Sequence, residues 1–149
     1  MIALLQRVSE ASVLIDREIA GEIGSGLLIF LGVFQGDREE DCKFLAHKIS
    51  NFRIFNDDDG KMNLSIRESA GAALVVSQFT LCADWRKGRR PSFLNAAPPA
   101  EGEQLYTQFI QLLTSEGIPV ETGRFGAMMD VKLTNDGPVT FVLDSNARS

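Results

Sequence analysis

Three stretches of this 149-residue chain bring together groups that could do chemistry. SQFTL (77–81) closes an apolar run and sets Ser77, Gln78 and Thr80 around Phe79. Hydroxyls and an amide at a strand end can position a carbonyl substrate, and backbone N–H groups there can stabilise an oxyanion. Thr80 has no neighbour in sequence that would serve as its base, so positioning suits it better than nucleophilic attack. The plainer alternative is that Phe79 packs while the hydroxyls bond to nearby backbone. WRKGRRPSF (85–93) crowds Arg86, Lys87, Arg89 and Arg90 between Trp85 and Phe93. Arginine forks grip phosphate oxygens and aromatic faces stack on bases, which suits an exposed nucleic-acid end. A solvated loop that keeps the protein soluble would read the same way. TNDGPVTF (134–141) inserts Gly137 and Pro138 between VKL and VLD, two stretches that read as strand. Proline has no N–H for a ladder and glycine no side chain for a core. Either this is a hairpin turn of the N-D-G-P kind, or the main chain itself is the tool. X–Pro bonds are cis in only about one folded case in twenty, so residue order does not decide between them.

Other chemistries fail on residue type. The only histidine, His47, lies in a helical pattern, and no G-x-S-x-G elbow surrounds a serine. We read His47 as structural or solvated. Asp57, Asp59 and Gly60 imitate part of a calcium loop, but Phe55 and Ile66 would fall at its first and twelfth positions and cannot bind the ion. No Cys/His cluster suggests zinc, and no glycine-rich turn leads from a strand into a helix as a phosphate cradle requires. No metal and no cofactor is expected.

The elements that must position these groups follow from pattern. Val8, Ala11, Val13 and Ile15 alternate with polar residues as a strand does, and EIAGEIG is expected to supply a turn and a return strand. LLIFLGVF (27–34) and AALVVSQFTL (72–81) read as buried strands. Between them Cys42, Leu45, Ile49 and Phe52 recur at helical spacing, with Asp37 as the expected cap and Glu40 reaching back to it. NDDDGKMN (56–63) reads as a turn. Glu101 to Glu116 is a second helix, with Leu105, Phe109, Leu112 and Leu113 on one face and Gly117 as its stop. PVETG is a short edge strand, and two strands flank TNDGP. The length favours one domain, 1–149, of α+β class with mostly antiparallel pairing.

Composition narrows the setting. The apolar fraction of 44% suits a globular protein, and no apolar run approaches the roughly 20 residues of a membrane helix. MIALLQRVSEASV meets Arg7 and Glu10 too early for a signal peptide. Cys42 and Cys82 form no motif and read as reduced thiols of a cytoplasmic protein. The net charge of −5 opposes indiscriminate nucleic-acid coating but leaves room for a local basic site.

Taken together, QRV (6–8), GKMN (60–63), SQFTL (77–81), KGRRPSF (87–93), FGAMM (125–129) and NDGPVT (135–140) resemble the D-aminoacyl-tRNA deacylases, the family of D-tyrosyl-tRNA deacylase. SQFTL and NDGPVT match that family's two signature motifs. Cys82 departs mildly, standing where an aromatic or aliphatic residue often follows SQFTL.

The resemblance implies a curved, barrel-like α+β fold, mostly antiparallel with two main helices, in a homodimer. It implies hydrolysis of the ester joining a D-amino acid to the 3′-terminal adenosine of tRNA, with no cofactor and no membrane partner. Gly137 and Pro138 would be joined by a cis bond and reach the partner subunit's active site. Their carbonyl oxygens would face the amino acid and reject L side chains, while glycyl-tRNA would pass. Ser77, Gln78, Phe79 and Thr80 would line the catalytic pocket, and the substrate's own 2′-hydroxyl would assist. Arg7, Met129, Asn135, Val139 and Thr140 would support the pocket, and Arg86, Lys87, Arg89 and Arg90 would contact tRNA. Three rivals stand beside this reading: a non-catalytic tRNA-binding module, a hydrolase of small D-amino-acid esters, and a structural dimer with a plain Gly-Pro turn.

Overall fold

The computed structural model describes residues 1–148. Strand β1 (Ile2–Ile15) turns back into β2 (Glu18–Ile23) through Asp16 and Arg17, both at positive φ (50° and 67°). That two-residue geometry matches strand twist. The turn therefore precedes EIAGEI, which is wholly return strand rather than turn and strand. β3 (Gly26–Gly32) continues the antiparallel sweep along β1, from Val8↔Gly26 to Ile2↔Gly32.

Helix α1 (Glu39–Asn51) follows, then a small hairpin of β4 (Phe55–Asn56) and β5 (Met62–Leu64). The chain returns as β6 (Ala72–Ser77) and makes a 3₁₀ turn at Phe79–Cys82. Helix α2 (Pro99–Ser115), β7 (Val120–Thr122) and β8 (Asp130–Asp144) complete the order, with a last 3₁₀ turn at Ser145–Ala147. β6 lies parallel to both β3 and β7, because each crossover to it or from it contains a helix. The remaining pairings are antiparallel. The sheet curls until β2 packs against β7, a nearly closed, barrel-like mixed sheet in an α+β fold.

Side chains divide by strand parity. Ala3, Leu5, Leu27, Ile29, Leu31, Ala73 and Val75 face the helices. Val8, Val13, Leu28, Leu74 and Val76 fill the barrel interior, with Met129 packed beside them. Cys42, Leu45 and Ile49 are fully buried, as their spacing requires, and α2 adds Tyr106, Phe109 and Leu113. Each fully buried Leu, Ile or Phe stabilises the fold by about 1.5–3 kcal/mol. Burial pushes the Cys42 thiol up to about 12 and that of Cys82 to about 11, so both are poor nucleophiles at neutral pH.

Helix α1 starts one residue later than its sequence suggests. Arg38 is the cap residue, and its N–H donates to Asp41 Oδ2 at 2.8 Å. Asp37 is engaged elsewhere. It accepts from Phe34 N–H at 2.7 Å and from the buried Met1 ammonium at 2.9 Å. Glu40 is exposed and has no part in the cap.

Candidate active site

β6 delivers SQFTL to the rim of the sheet. Gln78 N–H donates to Leu31 O at 2.8 Å, so the chain leaves the sheet only after Gln78. Tyr106 Oη donates to Val75 O at 2.9 Å and ties the strand to α2. Gln78 Nε2 meets Thr80 Oγ1, and Phe79 is 56% exposed. The N–H groups of Phe79 and Thr80 open the 3₁₀ turn, where no preceding turn offers them an acceptor.

The basic segment folds back onto this rim. Asp84 and Ser92 exchange two backbone hydrogen bonds of 2.8 Å and close a neck, with Gly88 (φ +71°) at the loop's far side. Phe93 meets Phe79 edge-on at 5.0 Å. Arg86 grips Asp84 with Nε at 2.9 Å and Nη2 at 2.8 Å. That fork draws the Asp84 carboxyl down to about 2. Lys87, Arg89 and Arg90 make no ion pair among the described residues and are exposed.

The Gly-Pro segment is not a hairpin turn between two strands. Both arms belong to β8 and pair with the same strand, β1, in one direction. Asn135 pairs with Val8 and Thr140 with Gln6, so residues 136–139 bulge out opposite Arg7 alone. The Gly137–Pro138 peptide is cis, and both residues are exposed.

The bulge is fastened at its neck. Asn135 Nδ2 donates to Arg7 O at 2.9 Å and to Val139 O at 3.1 Å. Thr140 Oγ1 accepts from Gln6 Nε2 at 3.3 Å. Arg7 is buried beneath it, with Nη1 donating to Ile54 O at 2.8 Å and to Asn56 Oδ1 at 3.2 Å. Its Nε lies 3.1 Å from Asp136 Oδ2, close enough for charge attraction but out of line for a hydrogen bond. Gly137 stands at φ +113°, and a Cβ there would come within 2.8 Å of both Arg7 Nη2 and Val139 Cγ2. Asp136, Ile54 and Asn56 were not legible as partners of Arg7, since nothing local in sequence marks a contact across 47 or more residues.

Within one chain the two motifs stay apart. Ser77 is in register with Leu31 and through it with Ala3, whereas the bulge stands beyond β1 opposite Arg7. Three strand spacings across and four residues along put them on the order of 15–20 Å apart. Met129 sits with the interior core, its Sδ 2.5 Å from where a Cβ on Gly123 would lie. His47 is exposed on α1 and approaches Glu116 at 3.5 Å, a solvated position away from both motifs. Two surface hollows, of about 540 and 410 Å³, include no residue of SQFTL or of the bulge.

The family description "D-Tyr-tRNA(Tyr) deacylase" matches residues 4–144. A D-aminoacyl-tRNA deacylase of Thermotoga petrophila is 56% identical over 146 residues, 98% of each chain. One of Geobacter sulfurreducens is 56% identical over 149 residues, covering 100% of this chain and 98% of its own. Among solved structures, that of a c-Myc DNA Unwinding Element Binding Protein superposes with a TM-score of 0.91 at 36% identity, covering 97% of this chain and 98% of its own. A probable eukaryotic D-amino acid tRNA deacylase shares the fold, with a TM-score of 0.81 at 17% identity over 95% of this chain and 97% of its own. By the span of the family match and the identity of these relatives, the chain belongs to the D-aminoacyl-tRNA deacylase family.

Proposed function

We propose that this protein hydrolyses the ester of D-aminoacyl-tRNA, releasing tRNA and the D-amino acid, and that its Gly-Pro bulge is the stereochemical filter. The observation that carries the reading is the fastened bulge. Asn135, Arg7 and Val139 leave the exposed Gly137–Pro138 backbone little freedom, and the proline ring fixes φ. Main-chain oxygens so held form a wall that cannot move aside as a rotamer would. An L side chain pointing at such a wall meets both a collision and unpaired polar atoms, while a D side chain points away. Glycine has hydrogen on both sides and passes the same filter, so glycyl-tRNA is a substrate too.

The motifs' separation in one chain supports a site shared by two copies, the bulge of one protomer covering the SQFTL rim of the other. An apolar row favours that pairing. Val142, Leu4 and Phe30 are register neighbours on the sheet face away from the helices, and Val142 is 61% exposed. Beyond Phe30 the row ends at Val76, already buried in the barrel interior, so Val142 with the half-buried Leu4 and Phe30 is what a second copy would cover.

The chemistry asks little of side chains. Water attacks the ester carbonyl carbon, and the carbonyl oxygen takes the charge beside the Phe79 and Thr80 N–H groups. The bond to the ribose 3′-oxygen then breaks, and the substrate's 2′-hydroxyl relays the proton from water to that oxygen. Ser77, Gln78 and Thr80 orient the ester, which is reactive enough for orientation to suffice.

Matched D- and L-aminoacyl-tRNAs, followed for ester loss, test the reading. Release from the D form with the L form intact is expected, and equal release or none from either refutes it. A small D-amino-acid ester cleaved as fast as charged tRNA would favour the small-ester rival.

A further inference from the structure

The basic loop holds two aromatic residues and four cations, and the structure gives them unequal freedom. Phe93 is committed to Phe79, and Arg86 is committed to Asp84 by a two-nitrogen fork. Trp85 is 77% exposed, with no aromatic partner among the described residues. A tryptophan this exposed gains nothing for folding, and an exposed indole in a loop with free cations suits a stacking partner. Its position is defined by the closed neck at Asp84 and Ser92. With Asp84 neutralised by Arg86, Lys87, Arg89 and Arg90 remain as free positive charge in the same loop as the indole.

We propose that Trp85 is the platform on which a base of the single-stranded tRNA 3′ end stacks, just before the terminal adenosine. Lys87, Arg89 and Arg90 meet the phosphates of that strand. Arg86 is a positioning residue that fixes the loop through Asp84 and touches no phosphate. This rests on the proposed deacylase reading and deepens it. The contact is sequence-tolerant, because every base has a π-face. It would therefore suit an enzyme that meets many tRNAs sharing one 3′ end. The Phe79–Phe93 contact connects the platform to the SQFTL rim, so the strand crosses Trp85 on its way to the pocket.

Trp85 is the single tryptophan of the chain, which makes the test direct. Intrinsic fluorescence is titrated with an uncharged RNA minihelix carrying a single-stranded ACCA end and with the same duplex made blunt. Quenching by the first and not the second is expected. Equal quenching by both, or none by either, overturns the proposal. In W85A, KM for D-aminoacyl-tRNA should rise about fivefold or more, with a smaller change in kcat, and W85F should recover most of the loss. A change of oligomeric state in W85A would assign the side chain to the subunit contact instead and overturn the proposal. Lys87→Gln should lower the salt slope of minihelix binding by about 0.7, as loss of one single-strand phosphate contact does. Arg86→Gln should weaken the quench and leave that slope unchanged, and a fall of the same size there would refute the positioning role. Should wild-type protein release no amino acid from D-aminoacyl-tRNA, the deacylase reading falls. Should it do so while Trp85 stays silent to the ACCA end, only this inference falls.

Discussion

The Gly-Pro bulge and the basic loop are both exposed and both contain a glycine at positive φ, yet they are built on different principles. The bulge is tied to residues far away in sequence: Asn135 to Arg7 O, and Arg7 to Ile54 and Asn56. The basic loop is tied to itself, by the Asp84–Ser92 neck and the Asp84–Arg86 fork, with one aromatic contact to the rim. A shape fixed by the whole fold can hold a stereochemical wall to fractions of an ångström. A shape fixed locally can bend to a flexible strand of RNA. Under the proposed function, rejection draws on the first kind of support and affinity on the second.

Substitution at the two glycines should break the comparison most sharply. Gly137→Ala forces a Cβ into Arg7 and Val139 at 2.8 Å. We expect activity on D-aminoacyl-tRNA to fall by about a hundredfold or more, as misplacement near 1 Å commonly does, with selection between D and L eroded. Single-turnover deacylation checks it. Arg7→Ala should follow, costing about 3 kcal/mol in denaturant unfolding. It empties a buried position and leaves the buried Ile54 carbonyl without its donor.

Asp41→Asn, remote from both regions, gauges ordinary structural support and should cost about 1 kcal/mol near pH 7. Burial opposes ionisation of Asp41, but hydrogen bonds from Arg38 N–H and Arg148 prevail and hold its carboxyl below the usual range. That stabilisation is present above the unfolded pKa, near 4, and is lost as pH falls through the lower folded value. Wild-type and variant stabilities should therefore converge in acid, which a pH series of thermal melts will show. Gly88→Ala should have the smallest effect on the chemistry, although its stability cost is comparable. Its φ of +71° is positive, as that of Gly137 is at +113°, but a Cβ there meets nothing within 4 Å. About 1 kcal/mol of local backbone cost is expected, with deacylation by saturating enzyme unaltered.

What could be read in advance follows the same division. The buried face of α1, Cys42, Leu45 and Ile49, was legible because helical periodicity is a local property. The cap was misplaced by one residue because Asp37 is held by Met1 and Phe34, a competition no short window displays. TNDGP resembled a hairpin because the flanking strands are locally ordinary. Only the register, with both arms on β1, makes it a bulge. Motif resemblance named Arg7 as a support for the bulge, but its hold on Ile54 and Asn56 belongs to tertiary packing. The basic cluster was visible as composition, while the commitment of Arg86 to Asp84 was not.

The distance between the SQFTL rim and the bulge in one chain has a genetic corollary under the proposed trans arrangement. A subunit impaired at Gly137 and another impaired at Gln78 would each be defective alone, yet co-expressed they would rebuild one sound centre per mixed pair. Random assortment would restore about a quarter of normal centres, a complementation that no self-contained monomer could produce.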